Sequence, residues 1–291
     1  MSLKYFICPS GQKVQIKDCL SKCHRSEGRC LSLPTLMEIA NTRPWTGSPS
    51  TTELLNGTRL SFLQITKNYA VSPYERAFAL LGTQHHRRLE KIAEKINALS
   101  EERLLSEVSG ILDLLVPDEM ASDERYILYD YKTSGSFKVA KALGLVRRKV
   151  PDPSGEVYKT SGKWGKAGDT KMVTIYEPDE SVVDMWDWEL QVNNYRLMVQ
   201  ACGFPVSKMV IQATVRDGGT MVAQNRGIVE NIYLIPVQRL ADSYVQDYFS
   251  TKRVALLSAL ETGRMPAKCN SKENWDGKRC EGFCPVKEFC P

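Results

Sequence analysis

Residues 110–135 read GILDLLVPDEMASDERYILYDYKTSG, with one aspartate inside an apolar run and a second two residues before a lysine. Charge in an otherwise apolar strand is costly unless something pairs with it. The pattern predicts two strands, at about 107–116 and 126–133, joined by the turn-rich PDEMASDER. Folded antiparallel about that turn, Asp113 and Asp130 share a midpoint between Ala121 and Ser122 and face each other across the ladder. Lys132 lies two residues beyond Asp130 and projects from the same face. One ammonium offsets only part of the repulsion between two carboxylates. A divalent cation that takes oxygen ligands, Mg²⁺ or Mn²⁺, resolves the rest. A solvated network of cross-strand side chains is the alternative.

This pair falls within a series of four motifs. GTQHHRRLE (82–90) lies on a predicted helix, GILD (110–113) on the first strand, DYK (130–132) on the second, and QVNNY (191–195) on a later helix. In type and order they resemble the PD-(D/E)XK nuclease superfamily, and within it the RecB-like exonucleases, over residues 50–262. The resemblance implies that His86 is a metal ligand beside Asp113 and Asp130, that the Tyr131 carbonyl completes the site, and that Lys132 is the catalytic lysine. Apolar periodicity alone favours His85, whereas the spacing from Gly82 selects His86. Gln191 and Tyr195, one helical turn apart, are implied to position the hairpin and to contact substrate phosphate. Glu107, which opens the first strand, is read as a solvated edge residue. The implied reaction is metal-dependent hydrolysis of a DNA phosphodiester, on single strands or duplex ends, with Lys132 assisting the attack of water. The settings it implies are recombination, phage replication or CRISPR-type processing, with a protein partner from one of those systems. The competing reading is a nucleic-acid-binding scaffold whose nuclease centre is idle.

These motifs need a framework of alternating helices and strands. A short helix is predicted at 33–41 and a long one at 73–99, whose stripe is Phe78, Leu81, Leu89, Ile92 and Ile96. Helices at 136–143, 181–202 and 241–262 alternate with strands in MVTIYEP, KMVIQATVR and IVENIYLIPV. The expected class is α/β, a central mixed sheet flanked by helices, with Cys-rich extensions at both ends. The expected division is a Cys-rich segment at 1–45, a nuclease core at 46–265 and a second Cys-rich segment at 266–291.

Nine cysteines stand in a chain expected to be cytoplasmic, where metal is favoured over disulfides. Cys8, Cys19, Cys23 and Cys30 are separated by ten, three and six residues, and Cys269, Cys280, Cys284 and Cys290 by ten, three and five. Cys202 alone is mid-chain and reads as a small core residue. Some RecB-like nucleases carry an iron–sulfur cluster on one upstream Cys and a distal C-x2-C-x5-C. Here the distal run is C-x3-C-x5-C, and Gly57 stands at the upstream place, two residues before Arg59. Either one N-terminal Cys joins Cys280, Cys284 and Cys290, or each end forms its own four-Cys site, with zinc or iron–sulfur in either case.

Net charge is +5, and residues 147–171 hold seven Lys or Arg against three Asp or Glu. With Tyr158 and Trp164 interleaved, Arg147, Arg148, Lys149, Lys159, Lys163 and Lys166 either guide a nucleic-acid strand by charge and stacking or form a solvated loop. No apolar stretch reaches membrane-spanning length, so no membrane association is expected.

Overall fold

The computed structural model describes residues 3–96, 98–163 and 165–291, and of Ala79 and Leu105 the backbone alone. Trp164, named above with the basic insert, lies outside the described residues. The chain opens with strands β1 (Leu3–Ile7) and β2 (Lys13–Gln15) and helices α1 (Ile16–Ser21), α2 (Leu33–Ala40), α3 (Thr51–Leu55) and α4 (Thr58–Thr66). Strand β3 (Tyr69–Val71) pairs parallel with β1, and β2 pairs antiparallel with it. Local signals explain the helix starts. Ser32 accepts from the Thr35 N–H ahead of α2, and Ser50 and Glu53 form a reciprocal capping box on α3.

The helix expected at 73–99 is broken. Helix α5 (Pro73–Arg76) is followed by α6 (Phe78–Ala93), a 3₁₀ turn at Glu94–Ile96 and then strand β4 (Leu99–Leu105). The predicted stripe is also not the buried one, since Phe78, Leu81, Ile92 and Ile96 are all exposed. Ala93 is buried, and Gly82, His85, His86 and Leu89 are half-buried. Periodicity reports that a helix is amphipathic; what covers each face is decided by tertiary packing.

Strands β5 (Ser109–Pro117) and β6 (Tyr126–Ser134) follow, then helix α7 (Ser136–Ala142) and strands β7 (Leu145–Pro151) and β8 (Met172–Pro178). Helix α8 (Trp186–Ala201), strand β9 (Val206–Val215), helix α9 (Met221–Gln224) and strand β10 (Ile232–Pro236) lead to helices α10 (Asp242–Thr262) and α11 (Ser271–Asn274). Strands β6 and β9 run in parallel. The Tyr126 N–H donates to the Pro205 carbonyl at one end, and the Arg216 N–H donates to the Ser134 carbonyl at the other. Among the described residues, no helix is long and apolar enough to cross a membrane.

Two compact units divide the chain along lines different from the three segments expected above. The first comprises Met1–Tyr129, Glu189–Met209 and Gln238–Pro291, and the second comprises Asp130–Trp188 and Val210–Val237. In the first unit, strands lie in the order β9-β6-β5-β4, with β5 antiparallel to both neighbours. Leu54, Leu63, Leu112, Leu115, Leu128, Leu190 and Leu256 are buried there, and helices α4 and α10 pack together. In the second unit the order is β10-β9-β6, with β9 and β10 antiparallel, and β7 and β8 form a separate antiparallel pair. The start of helix α7 is tied down by Asp217, which accepts from both the backbone N–H and the hydroxyl of Ser136 at 2.6 Å.

The basic insert is more ordered than a glycine-rich loop. Arg147, Arg148 and Lys149 lie on strand β7, and Arg148 pairs with Glu177 and Asp179. Lys171 pairs with Glu156, and the Tyr158 ring packs over Gly165, where a Cβ would meet it at 2.5 Å.

Candidate metal centre

In the first unit, β4 and β5 pair from Leu99↔Leu115 to Leu105↔Ser109. Ser100↔Leu114 and Glu102↔Leu112 are formed, so Glu101 stands at the rung facing Asp113. That rung is interrupted: Glu101 has φ of 52°, in the left-handed region that non-glycine residues seldom occupy. The Glu101 carboxylate lies beside His86 of helix α6. His86 Nδ1 lies 3.2 Å from Glu101 Oε1 and 3.3 Å from Asp113 Oδ1. One ligand atom from each of the three side chains falls within 4.8 Å of the others.

Asp113 is buried, with a side chain only 9% exposed, and His86 and Glu101 are partly covered. Burial works against charge on the imidazole. Hydrogen bonds to Asp113 and Glu101, and the charges of both, outweigh it and raise the His86 pKa to about 10. The pocket formed by these two acids therefore favours a positive charge. His85, next on the helix, is pushed the other way by burial and by His86.

Helix α8 supports the same strand. Gln191 Nε2 donates to the Tyr195 hydroxyl at 3.1 Å. The Tyr195 ring lies against Gly110 so closely that a Cβ there would sit 2.6 Å from Cε1. The glycine of GILD thus admits the tyrosine of QVNNY to the strand that carries Asp113. One turn of contacts secures the geometry: buried Asn194 donates to Thr51 Oγ1 at 2.9 Å, and Thr51 donates to the Ser109 carbonyl at 3.2 Å.

The second unit holds the other predicted residues. Asp130 is almost fully buried and lies 2.5 Å from Lys132 Nζ through Oδ2, while Tyr131 between them is also buried. In the first unit, β5 and β6 pair from Leu114↔Tyr129 to Pro117↔Tyr126, the register inferred from the loop midpoint. Asp113 immediately precedes Leu114, and Asp130 immediately follows Tyr129. Glu107 is exposed and pairs with Arg253 at 3.4 Å.

A groove of about 1590 Å³ in the first unit reaches Gly110, Ile111 and Tyr195. Arg43, Arg76, Arg103 and Lys287 border it, with Trp45 among them. Its walls include the β1–β2 hairpin and residues Gly282–Pro285.

Among the described residues no cysteine is disulfide-bonded, and Cys202 is exposed rather than packed in a core. The space beside Gly57, where the resemblance places an upstream thiol, is filled by Cys269. A Cβ at position 57 would sit 2.9 Å from its sulfur. Burial pushes the Cys269 and Cys284 thiols up, while Arg279 and backbone N–H groups of Leu60 and Val286 pull them down. Arg59 donates to Cys290 Sγ at 3.5 Å. Two guanidiniums, those of Arg59 and Arg279, thus lie among the C-terminal cysteines.

Sequence reasoning missed Glu101. Its one signal is a carboxylate in LSEERLL whose rung faces Asp113, and that rung exists only once β4 is recognised as a strand. No family model matches the chain, and no curated protein does. Solved structures similar to it include one described as the crystal structure of SSO0001, at 13% identity and a TM-score of 0.44, covering 89% of this chain and 92% of that one.

Proposed function

We propose that the protein is a divalent-metal-dependent nuclease that hydrolyses DNA phosphodiester bonds, in its finer form an exonuclease. The observation that carries the reading is the meeting of His86, Glu101 and Asp113 on three different elements, one nitrogen and two oxygen donors within 4.8 Å. Oxygen-rich sets with one imidazole suit Mg²⁺ or Mn²⁺. A cation held there would neutralise charge and act as a Lewis acid toward a phosphate oxygen. The chain's own groups do the rest. Lys132, ion-paired with Asp130, orients the attacking water and offsets charge that develops on phosphorus. Gln191 and Tyr195 position β5, and the groove beside Tyr195 offers arginines to a phosphate backbone and Trp45 to a base. Asp130 lies one residue, and Lys132 three residues, beyond Tyr129 on β6. The C-terminal thiols Cys269, Cys280, Cys284 and Cys290 are proposed to hold an iron–sulfur cluster, with zinc as the alternative.

Digestion of end-labelled single- and double-stranded DNA with Mg²⁺, Mn²⁺ or EDTA tests the reading. Asp113→Ala and Lys132→Ala are each expected to slow cleavage by about 10²–10⁴-fold. Absence of metal-dependent cleavage by the wild type, or equal cleavage by the variants, would leave a DNA-binding scaffold with an idle centre.

A further inference from the structure

We infer that Cys8, Cys19, Cys23 and Cys30 hold a second thiolate-coordinated metal centre, independent of the C-terminal thiols. The four line one pocket of about 460 Å³, and no C-terminal cysteine lines it. Cys19 and Cys30 also pack against the same small apolar cluster of Phe6, Leu36 and Ile39.

The local fold brings them there by separate means. A tight turn carries Cys8, with the Gly11 N–H donating to the Cys8 carbonyl and the Cys8 N–H to Gln12, each at 2.8 Å. Cys19 lies on α1, and Cys23 follows just past its end, beyond the extended Lys22. Arg29 gathers the last carbonyls of that helix, those of Cys19, Leu20 and Ser21, and so fixes where the chain leaves it. Cys30 comes next, just ahead of α2. The C-terminal set repeats the plan. Cys280 lies in a short helical turn at Arg279–Phe283, and Cys284 caps its end.

Two physical features call for a ligand. Helix α1 buries none of its residues, and the local core consists of Phe6, Leu36 and Ile39 with half-buried neighbours that include Cys19 and Cys30. So small an apolar cluster is a weak anchor for this segment, and small units usually gain a metal or a cross-link. The pocket also carries Arg25 and Arg29, cations that would offset the negative charge of a four-thiolate centre. Sulfur is the only donor common to all four corners, which suits a zinc ion or an iron–sulfur cluster. The centre would pin the β1–β2 hairpin, whose Ile7, Gly11 and Lys13 form one wall of the large groove.

The inference does not rest on the nuclease reading, because its test reads metal rather than activity. Zinc, iron, acid-labile sulfide and visible absorption are measured per chain in freshly purified full-length wild type, Cys23→Ser and Cys284→Ser. Each variant is expected to lose one centre and keep the other. If the N-terminal centre is zinc, Cys23→Ser loses zinc with the visible band intact; if it is a cluster, iron, sulfide and the band fall together. Unchanged metal in Cys23→Ser, or loss of all metal in either variant, would overturn the inference. Should Cys23→Ser fail to fold, alkylation of native wild type decides. Protection of all four N-terminal thiols until a chelator is added is the expected result, and ready labelling without chelator refutes the centre.

Discussion

Glu101 combines two unfavourable features. It holds a left-handed backbone conformation inside a strand, and it sets a carboxylate opposite Asp113. A strained non-glycine residue of this kind costs about 1–3 kcal/mol and persists only where its surroundings enforce it. Asn tolerates that conformation better and still offers His86 an acceptor. Glu101→Asn is therefore expected to raise the unfolding temperature in EDTA while weakening Mn²⁺ binding at least tenfold, as read by calorimetry on the same preparation. A lower unfolding temperature would show that the carboxylate stabilises the metal-free fold. That His86 lies beside Asp113 was expected from the spacing that the family resemblance implies, whereas apolar period favoured His85. Glu101 was not legible, because EKINALSEERLL is rich in helix formers and reads as the end of a helix. Pairing with β5 overrides that local preference.

At the scale of elements, the contact between β5 and α8 is set by one absent side chain. Gly110→Ala would drive a methyl group into the Tyr195 ring, and overpacking of this kind costs about 1–3 kcal/mol. A double-mutant cycle in urea is expected to show that Tyr195→Ala removes most of that cost; additive effects would mean the strain lies elsewhere. The other end of α8 is held by charge. Arg196 is 1% exposed and donates to Asp242 at 2.7 Å, and this hydrogen bond holds the Asp242 pKa below the usual carboxylate range. A depressed carboxylate adds stability above its unfolded pKa, and that stability is lost as the pH falls through the folded value. Asp242→Asn should thus melt below the wild type at pH 7, with the gap closing below about pH 4. The strands and helices here were largely readable from hydrophobic period. The β5–β6 register was readable too, since the turn fixes the midpoint. The exposed stripe of α6 and the hairpin arm within the basic insert were not, because covering and pairing partners are distant in sequence.

On the proposed nuclease reading, two basic surfaces compete for nucleic acid. The insert at 147–171 commits Arg148 and Lys171 to ion pairs with Glu177, Asp179 and Glu156. The first-unit groove carries Arg43, Arg76 and Arg103 along its walls, with Glu53, Glu75 and Glu288 beside them. Arg103→Ala is expected to weaken single-stranded DNA binding and to reduce the slope of log affinity against log salt by about 0.7, the share of one phosphate contact. An unchanged slope would move the binding surface elsewhere. Sequence alone weighted the insert, because charge density is visible there and a groove assembled from dispersed arginines is not.

The left-handed turn at Glu101 has one more consequence. A breeding programme that rewarded heat tolerance alone would discard this residue early, since almost any small polar replacement relaxes both the backbone and the opposed carboxylates. Its retention would then act as a marker: lineages that keep the glutamate would be those in which cation capture is still rewarded.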